Sequence, residues 1–343
     1  MIKKVNAEGT LEDVSDEQML VVNRLREELR DRLSQHPDLT TTWNLLRFCR
    51  ARDFHYDKIR LMLEGFINFR ESIDYEKVKQ LDQAYFKPMT DHYARGYVGY
   101  DYEGRLVMVE KISHSNPHEM FKNVTEDQIT EYFVNLYERL LYVIFPILSR
   151  HHNRRIDRTV LIIDLADVNI LKLFDGDLKT FLKFSSKMSQ DYYPELLGKS
   201  FIINAPWVFK GIWSIVKIWL DKKTTEKFVI DSGPAIDKLG ECMDIRILPT
   251  YLGGQRTEPL TDFTGVWKDE LLDSWNRKSF HLNDRTIEYQ YFYTESERKK
   301  IMPSIKSRNF SDLINKNDLS DLQSESMTKC HSIKSFRANL LKH

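Results

Sequence analysis

Three short, unbroken apolar runs, TVLIIDL, SFIINAP and KFVI, constrain this chain more than any other feature. Runs without polar alternation suit strands covered on both faces. Parallel strands need a crossover of a dozen or so residues between them, and the intervening DLKTFLKFSSKMSQ and WVFKGIWSIVKIWL have that length and a helical pattern. The rhythm therefore predicts an α/β fold with a mixed or mostly parallel sheet, KFVI being a third buried strand. Upstream, RGYVGYDYEGRLVMVEKI reads as a hairpin that turns at Asp101-Tyr102-Glu103-Gly104 and ends in a strand over Leu106–Ile112. Thr125 with Gln128 three residues on is a capping-box pattern. It opens a helix through ITEYFVNLYERLLYVIF, which Pro146 is expected to kink or end.

The first eighty-five residues carry only helical periodicity. Met19, Leu20, Val22, Leu25 and Leu29 form one stripe, and Ile59, Leu63, Phe66, Ile67 and Ile73 form another. Asp38, Thr40 and Thr41 offer N-caps for a helix over TTWNLLRFCRARDF. Beyond about residue 293 the texture turns to Ser, Lys, Asn and Asp, the composition of a flexible tail. The expected division is a helical lobe over 1–85, an α/β domain over 86–258, and a C-terminal extension and tail over 259–343.

Composition narrows the function. The 343 residues contain 51 Lys+Arg and 51 Asp+Glu, so the chain is not a bulk binder of nucleic acid. Cys49, Cys242 and Cys330 are far apart and form no CxxC, which argues against a disulfide framework or a cysteine zinc site. No secretory leader and no run of eighteen apolar residues is visible. A soluble, cytoplasmic, monomeric protein without metal or cofactor is expected.

The segment Trp207–Asp221 carries more apolar surface than a packed helix needs. On a helical wheel Lys210, Ser214, Lys217 and Asp221 fall within roughly 60°. The remainder is apolar or glycine, including Phe209, Ile212, Trp213, Val216, Trp219 and Leu220. Two lysines and an aspartate exclude a membrane span. Three readings stay open: a helix between two protein layers, an interfacial helix lying on a bilayer, and a lid over a dry cavity whose outer side meets membrane.

Several segments together resemble the CRAL-TRIO lipid-binding family: LLRFCRARDF, TVLIIDL, QDYYPELLGKSFIINAPWVFKGIWSIVKIWLDKKTTEKFVI and YLGG, in order over roughly residues 40–255. Within it the chain is most similar to the secretory-pathway phosphatidylinositol/phosphatidylcholine transfer proteins. The resemblance implies an all-helical N-terminal lobe followed by an α/β lipid cage, with Trp207–Leu220 as a mobile gate. By similarity, Arg52, Glu195, Thr224 and Lys227 contact the phosphoinositol head group. A forked guanidinium and a compact ammonium suit phosphate, while the bland alternatives are an Arg52–Asp53 surface pair and a Glu195–Lys227 salt bridge. Tyr97, Met108, Tyr137, Thr159 and Leu161 fall, by similarity, on the second-lipid region. The family's Arg-Lys pair is Arg52-Asp53 here, and Leu196 stands where the transfer branch often has Arg. Met108 replaces a tyrosine and Leu161 a hydroxyl. Inositol-lipid binding is therefore expected to persist and the second ligand to change, to a sterol, an isoprenoid or another neutral lipid. The resemblance further implies a transient membrane surface as partner, peripheral location on Golgi or endosomal membranes, and a phosphoinositide kinase or trafficking protein downstream. Alternatives are a lipid sensor or scaffold that transfers nothing, and a carrier of a tocopherol, retinoid or sterol.

Enzyme signatures fail one by one. Gly198-Lys199-Ser200 lacks the first glycine of a phosphate-binding loop, since Tyr193 stands there, and neither GxSxG nor HExxH occurs. His114 and His118 straddle Pro117, and His151-His152 reads as a polar loop. Asp164 and Asp167 suit a turn better than a metal. At the far end Ile333, Phe336, Leu340 and Leu341, with Lys329, Lys334, Arg337 and Lys342 around them, have the spacing of a basic amphipathic helix that could touch anionic membrane.

Overall fold

The computed structural model describes residues 14–169, 171, 175–260 and 265–269. The C-terminal amphipathic stretch and Cys330 lie outside them. A five-stranded sheet has its strands in sequence order: β1 (Arg95–Tyr100), β2 (Leu106–Lys111), β3 (Thr159–Asp164), β4 (Leu197–Ile203) and β5 (Phe228–Ile230). β1 and β2 form the expected antiparallel hairpin, and β2 through β5 run parallel. Successive right-handed crossovers in such an order fall on one face of the sheet.

The two faces differ. On one, Val107, Val109, Val160, Ile162, Phe201 and Ile203 pack against Leu239, Met243, Leu248 and Leu252 from the chain beyond β5. Residues of the opposite parity line a void. β3 shows the reason in its own pattern: Val160 and Ile162 are buried, whereas Leu161 and Ile163 are only half-buried. The run forms the expected strand, and its second face meets partly a void and partly a second apolar cluster that includes Leu178, Ile202, Phe209 and Ile212. β5 is also corrected. It is a half-buried edge strand with Ile230 exposed, short enough to leave little unpaired edge.

The capping box at Thr125 forms as expected, the Gln128 N–H donating to Thr125 Oγ1 at 3.1 Å and the Thr125 N–H to Gln128 Oε1 at 2.9 Å. Pro146 does not end that helix. The α-helix Glu126–Arg139 passes into a π-turn over Leu140–Ile144 and resumes over Phe145–His151, with Pro146 in its first turn. A widened turn absorbs the carbonyl that proline would otherwise orphan. His151 and His152 consequently end a helix rather than occupy a loop.

A buried polar network joins the N-terminal helices to the cage. Arg70, on the helix Tyr56–Ser72, reaches Glu138 at 3.1 Å and Asp38 at 2.8 Å, and the Arg70 and Glu138 side chains are each 1% exposed. Tyr75 and Tyr193 donate to Glu138 at 2.7 and 2.8 Å, and Tyr142 donates to Asp38 at 2.6 Å. Burial works against the Arg70 charge, but Glu138, Tyr75 and Asp38 outweigh it and hold its pKa well above the arginine norm. Buried charges persist when paired and hydrogen-bonded, as Arg70 and Glu138 are, although the buried Arg70 Nε has no partner of its own.

Candidate functional site

The void between sheet and helices measures about 270 Å³, nearly twice the size of an apolar cavity of about 150 Å³ that admits benzene. Its floor follows from strand register. Tyr97, Met108, Leu161, Ser200 and Phe228 are successive cross-strand partners, and all but Ser200 line the void. One row along, Arg95, Glu110, Ile163 and Ile202 do the same. The walls come from the helices Glu126–Arg139 and Gly176–Lys187, through Phe133, Tyr137, Leu178 and Leu182.

The roof is the segment expected to be a gate, and it is shorter than its sequence implied. The α-helix covers Phe209–Val216 and tightens to a 3₁₀ turn over Lys217–Trp219, while Asp221 belongs to the next element as its N-cap. Phe209, Ile212, Trp213, Val216 and Leu220 face the cavity. Trp219 does not line it; Lys183 Nζ sits 5.4 Å from the centre of its ring. The outer side carries Trp207, Ile215 and Ile218 at 83%, 48% and 75% exposure, beside the exposed Lys210, Ser214 and Lys217. Intrinsic stability is low. Val208 gives no side-chain cap, and Gly211, whose missing Cβ would meet nothing, costs about 1 kcal/mol relative to alanine. The far end is held by Gln190, whose amide donates to the Trp219 carbonyl at 2.7 Å and accepts the Asp221 N–H at 2.9 Å.

Arg52, Glu195, Thr224 and Lys227 all line the same cavity, at the amino-terminal ends of β4 and β5. Arg52 caps the helix Thr42–Ala51, and its Nη1 donates to the Ala51 carbonyl at 2.9 Å; it does not pair with Asp53. Glu195 lies 3.8 Å from Lys227 and 3.5 Å from Arg158, each 18% exposed. Thr224 begins in the helix Lys222–Glu226, held by a 2.7 Å bond to Asp221, and Lys227 caps the end of that helix. Thr224 and Lys227 thereby share a face, as their spacing predicted.

Tyr97, Met108, Tyr137, Thr159 and Leu161 line the same void. The Thr159 hydroxyl is already engaged, donating to the Leu196 carbonyl at 3.2 Å. Burial pushes the Tyr137 phenol well above its ordinary range. Sequence reasoning missed the polar pair beside them. Arg95 and Glu110 are direct cross-strand partners, both facing the cavity. Glu110 accepts from the Tyr93 hydroxyl at 2.5 Å, and burial raises its pKa against the pull of Tyr93 and Arg95. Their alternation with Val98, Val107 and Val109 is the signal that could have placed them on the cavity face. His118 pairs with Asp177 at 2.7 Å, and Asp164 receives the Ala166 N–H and the Asn204 amide, a turn role. Among the described residues no cluster of three metal-ligating side chains occurs, and no helix is long and apolar enough to cross a membrane.

Comparison with known proteins follows this geometry. The profile of the CRAL/TRIO domain matches residues 90–254, the sheet, walls and roof of the cavity. The phosphatidylinositol/phosphatidylcholine transfer protein SFH13 of Arabidopsis thaliana is 32% identical over 248 residues, which is 71% of this chain and 40% of that protein. The chain thus spans less than half of that plant relative's length. The Sec14 cytosolic factor of Schizosaccharomyces pombe is 30% identical over 244 residues, 68% of this chain and 82% of the relative. The crystal structure of Sfh5 superposes with a TM-score of 0.55 at 18% identity, covering 77% of this chain and 97% of its own, which speaks to the fold alone. On the match to most of the fission-yeast protein and on a domain profile that coincides with the cavity, this chain belongs to the CRAL/TRIO family.

Proposed function

We propose that this protein binds and exchanges lipids at membranes, taking phosphatidylinositol and a second, neutral lipid into the cavity described above. One observation carries the reading: a void floored mainly by apolar side chains, with Arg52, Thr224 and Lys227 in its lining, and roofed by a segment that carries apolar side chains on both its inner and its outer side. Each methylene kept from water is worth about 0.8 kcal/mol, so two acyl tails cannot cross water unshielded. A roof whose outer side is itself greasy lets them pass only where lipid already meets it. Arg52, Thr224 and Lys227 then select the phosphoinositol head, with Glu195 accepting from inositol hydroxyls or orienting Lys227. Met108 and Leu161 remove hydroxyls from the second-lipid region, which favours a sterol, an isoprenoid or another neutral lipid, its polar end directed to Glu110. The names of the relatives, which include phosphatidylinositol/phosphatidylcholine transfer, support this class of activity. We further propose that it works from the cytoplasm on Golgi or endosomal membranes, linking lipid supply to phosphoinositide signalling or vesicle traffic. In this scheme residues 1–85, 86–258 and 259–343 serve as lobe, cage and extension.

A Lys227→Ala chain is expected to fold normally and to transfer phosphatidylinositol between vesicles at least about tenfold more slowly, as loss of a charge-assisted phosphate contact implies. Undiminished transfer would reject the head-group assignment. Mass spectrometry of lipids that co-purify with the wild-type chain identifies the second ligand. For the roof, Trp207→Ala combined with Ile218→Ser removes the two most exposed apolar side chains. Sedimentation with anionic vesicles should weaken by about tenfold, while the circular dichroism spectrum stays as in the wild type. Equal sedimentation would mean that another surface meets the bilayer.

A further inference from the structure

Two roles meet at Lys223, a residue to which the sequence assigned none. Its ammonium pairs with Asp53 and donates to the Arg50 carbonyl at 3.0 Å, so it ties the segment behind the roof to the helical lobe. Lys223 also lines the cavity mouth beside Arg52, Thr224 and Lys227, whereas Asp53 does not line it. The ammonium thus links a residue of the cavity lining to a counterion outside that lining. The tight turn at the end of the helix Thr42–Ala51 sets that position, for Asp53 and Phe54 are left-handed (φ 50 and 59) and the Phe54 N–H returns to the Cys49 carbonyl at 2.9 Å. The Lys223 contact keeps the Asp53 carboxyl below its ordinary pKa, hence ionised at neutral pH. With 50% and 62% of their side chains exposed, the two partners make an ion pair that contributes little to stability and can be exchanged readily.

We infer that Lys223 is a phosphate-binding residue of this mouth and that Asp53 is its exchangeable counterion. An anionic head group takes the ammonium from Asp53 and thereby unties the segment behind the roof from the lobe. The inference rests on the carrier reading above and adds to it a residue that sets preference for anionic over neutral lipid. The reversed charge at Asp53 is then no defect: it keeps Lys223 neutralised until phosphate arrives.

The test loads the full chain from phosphatidylcholine vesicles that carry a sterol as the neutral lipid, with or without phosphatidylinositol, and reads bound lipid by mass spectrometry. Lys223→Ala should lower phosphatidylinositol loading by about fivefold and leave neutral-lipid loading unchanged. Asp53→Asn should raise phosphatidylinositol loading by about twofold to fivefold, and that gain should vanish in the double variant. Inorganic phosphate should compete with loading in the wild type and less in Lys223→Ala, which would extend the site to free phosphate as well as the lipid head. Unchanged loading in Lys223→Ala, or a gain from Asp53→Asn that survives in the double variant, overturns the inference. If Lys227→Ala still abolishes phosphatidylinositol loading in that event, the carrier reading stands without it; if the wild type loads no lipid at all, the carrier reading itself has failed.

Discussion

A Leu161→Trp chain is expected to keep its fold and lose at least about nine-tenths of its lipid uptake. Leu161 sits in the middle of the cavity floor, between Met108 and Ser200 in register, and points into the void. An indole at that place takes the room of hydrocarbon. Excluding on the order of six methylenes forfeits about 5 kcal/mol, a factor above a thousand if nothing else adjusts, and re-seating of the tails reduces that to tenfold or more. The fold should not suffer, because a side chain growing into empty space fills a cavity instead of straining a packed core. Vesicle-to-vesicle transfer of a fluorescent phosphatidylinositol measures the first effect and the thermal midpoint measures the second. Normal transfer by a well-folded Leu161→Trp chain would show that the tails never reach the floor.

The second large effect concerns stability. Glu138→Ala should cost about 3–5 kcal/mol, a considerable share of the roughly 5–15 kcal/mol that holds an ordinary domain together. The variant leaves Arg70 with only Asp38 as counter-charge, and it strips Tyr75 and Tyr193 of their acceptor. The denaturation midpoint in urea is the measurement. A loss under about 1 kcal/mol would mean that the network admits water or that Asp38 alone neutralises Arg70. Glu138→Gln, which keeps an acceptor for the two tyrosines, is expected to recover part of the loss but not the charge pairing.

How far the sequence could be read varies with the kind of information each residue holds. The hairpin, the capping box at Thr125 and the parallel strands are local or nearest-neighbour features, and their patterns are in the chain. What an apolar face meets is not. Leu161 and Val160 look alike in TVLIIDL, yet one faces a void and the other a packed core, because hydrophobic contact and hydrophobic vacancy ask for the same residue types. The four positions proposed for the head group came from resemblance to a known motif, and all four line one cavity. Trp219 was misplaced because a straight helical wheel was extended through a turn that tightens at Lys217. Lys223, Gln190 and the Arg95–Glu110 pair escaped notice because each acts on a partner distant in sequence. Pro146 misled for a similar reason: the π-turn that accommodates it has no strong sequence signature.

The arrangement of strands in simple chain order separates two properties that many carriers must trade against each other. The sheet's inter-strand backbone bonds lie in the floor, and the roof among the described residues is eight residues of helix fastened at one end by a glutamine amide. On the proposed carrier reading, cargo would come and go at the expense of side-chain contacts alone, with the ladder left whole. Speed of turnover and resistance to heat are then properties of different segments, each adjustable without disturbing the other.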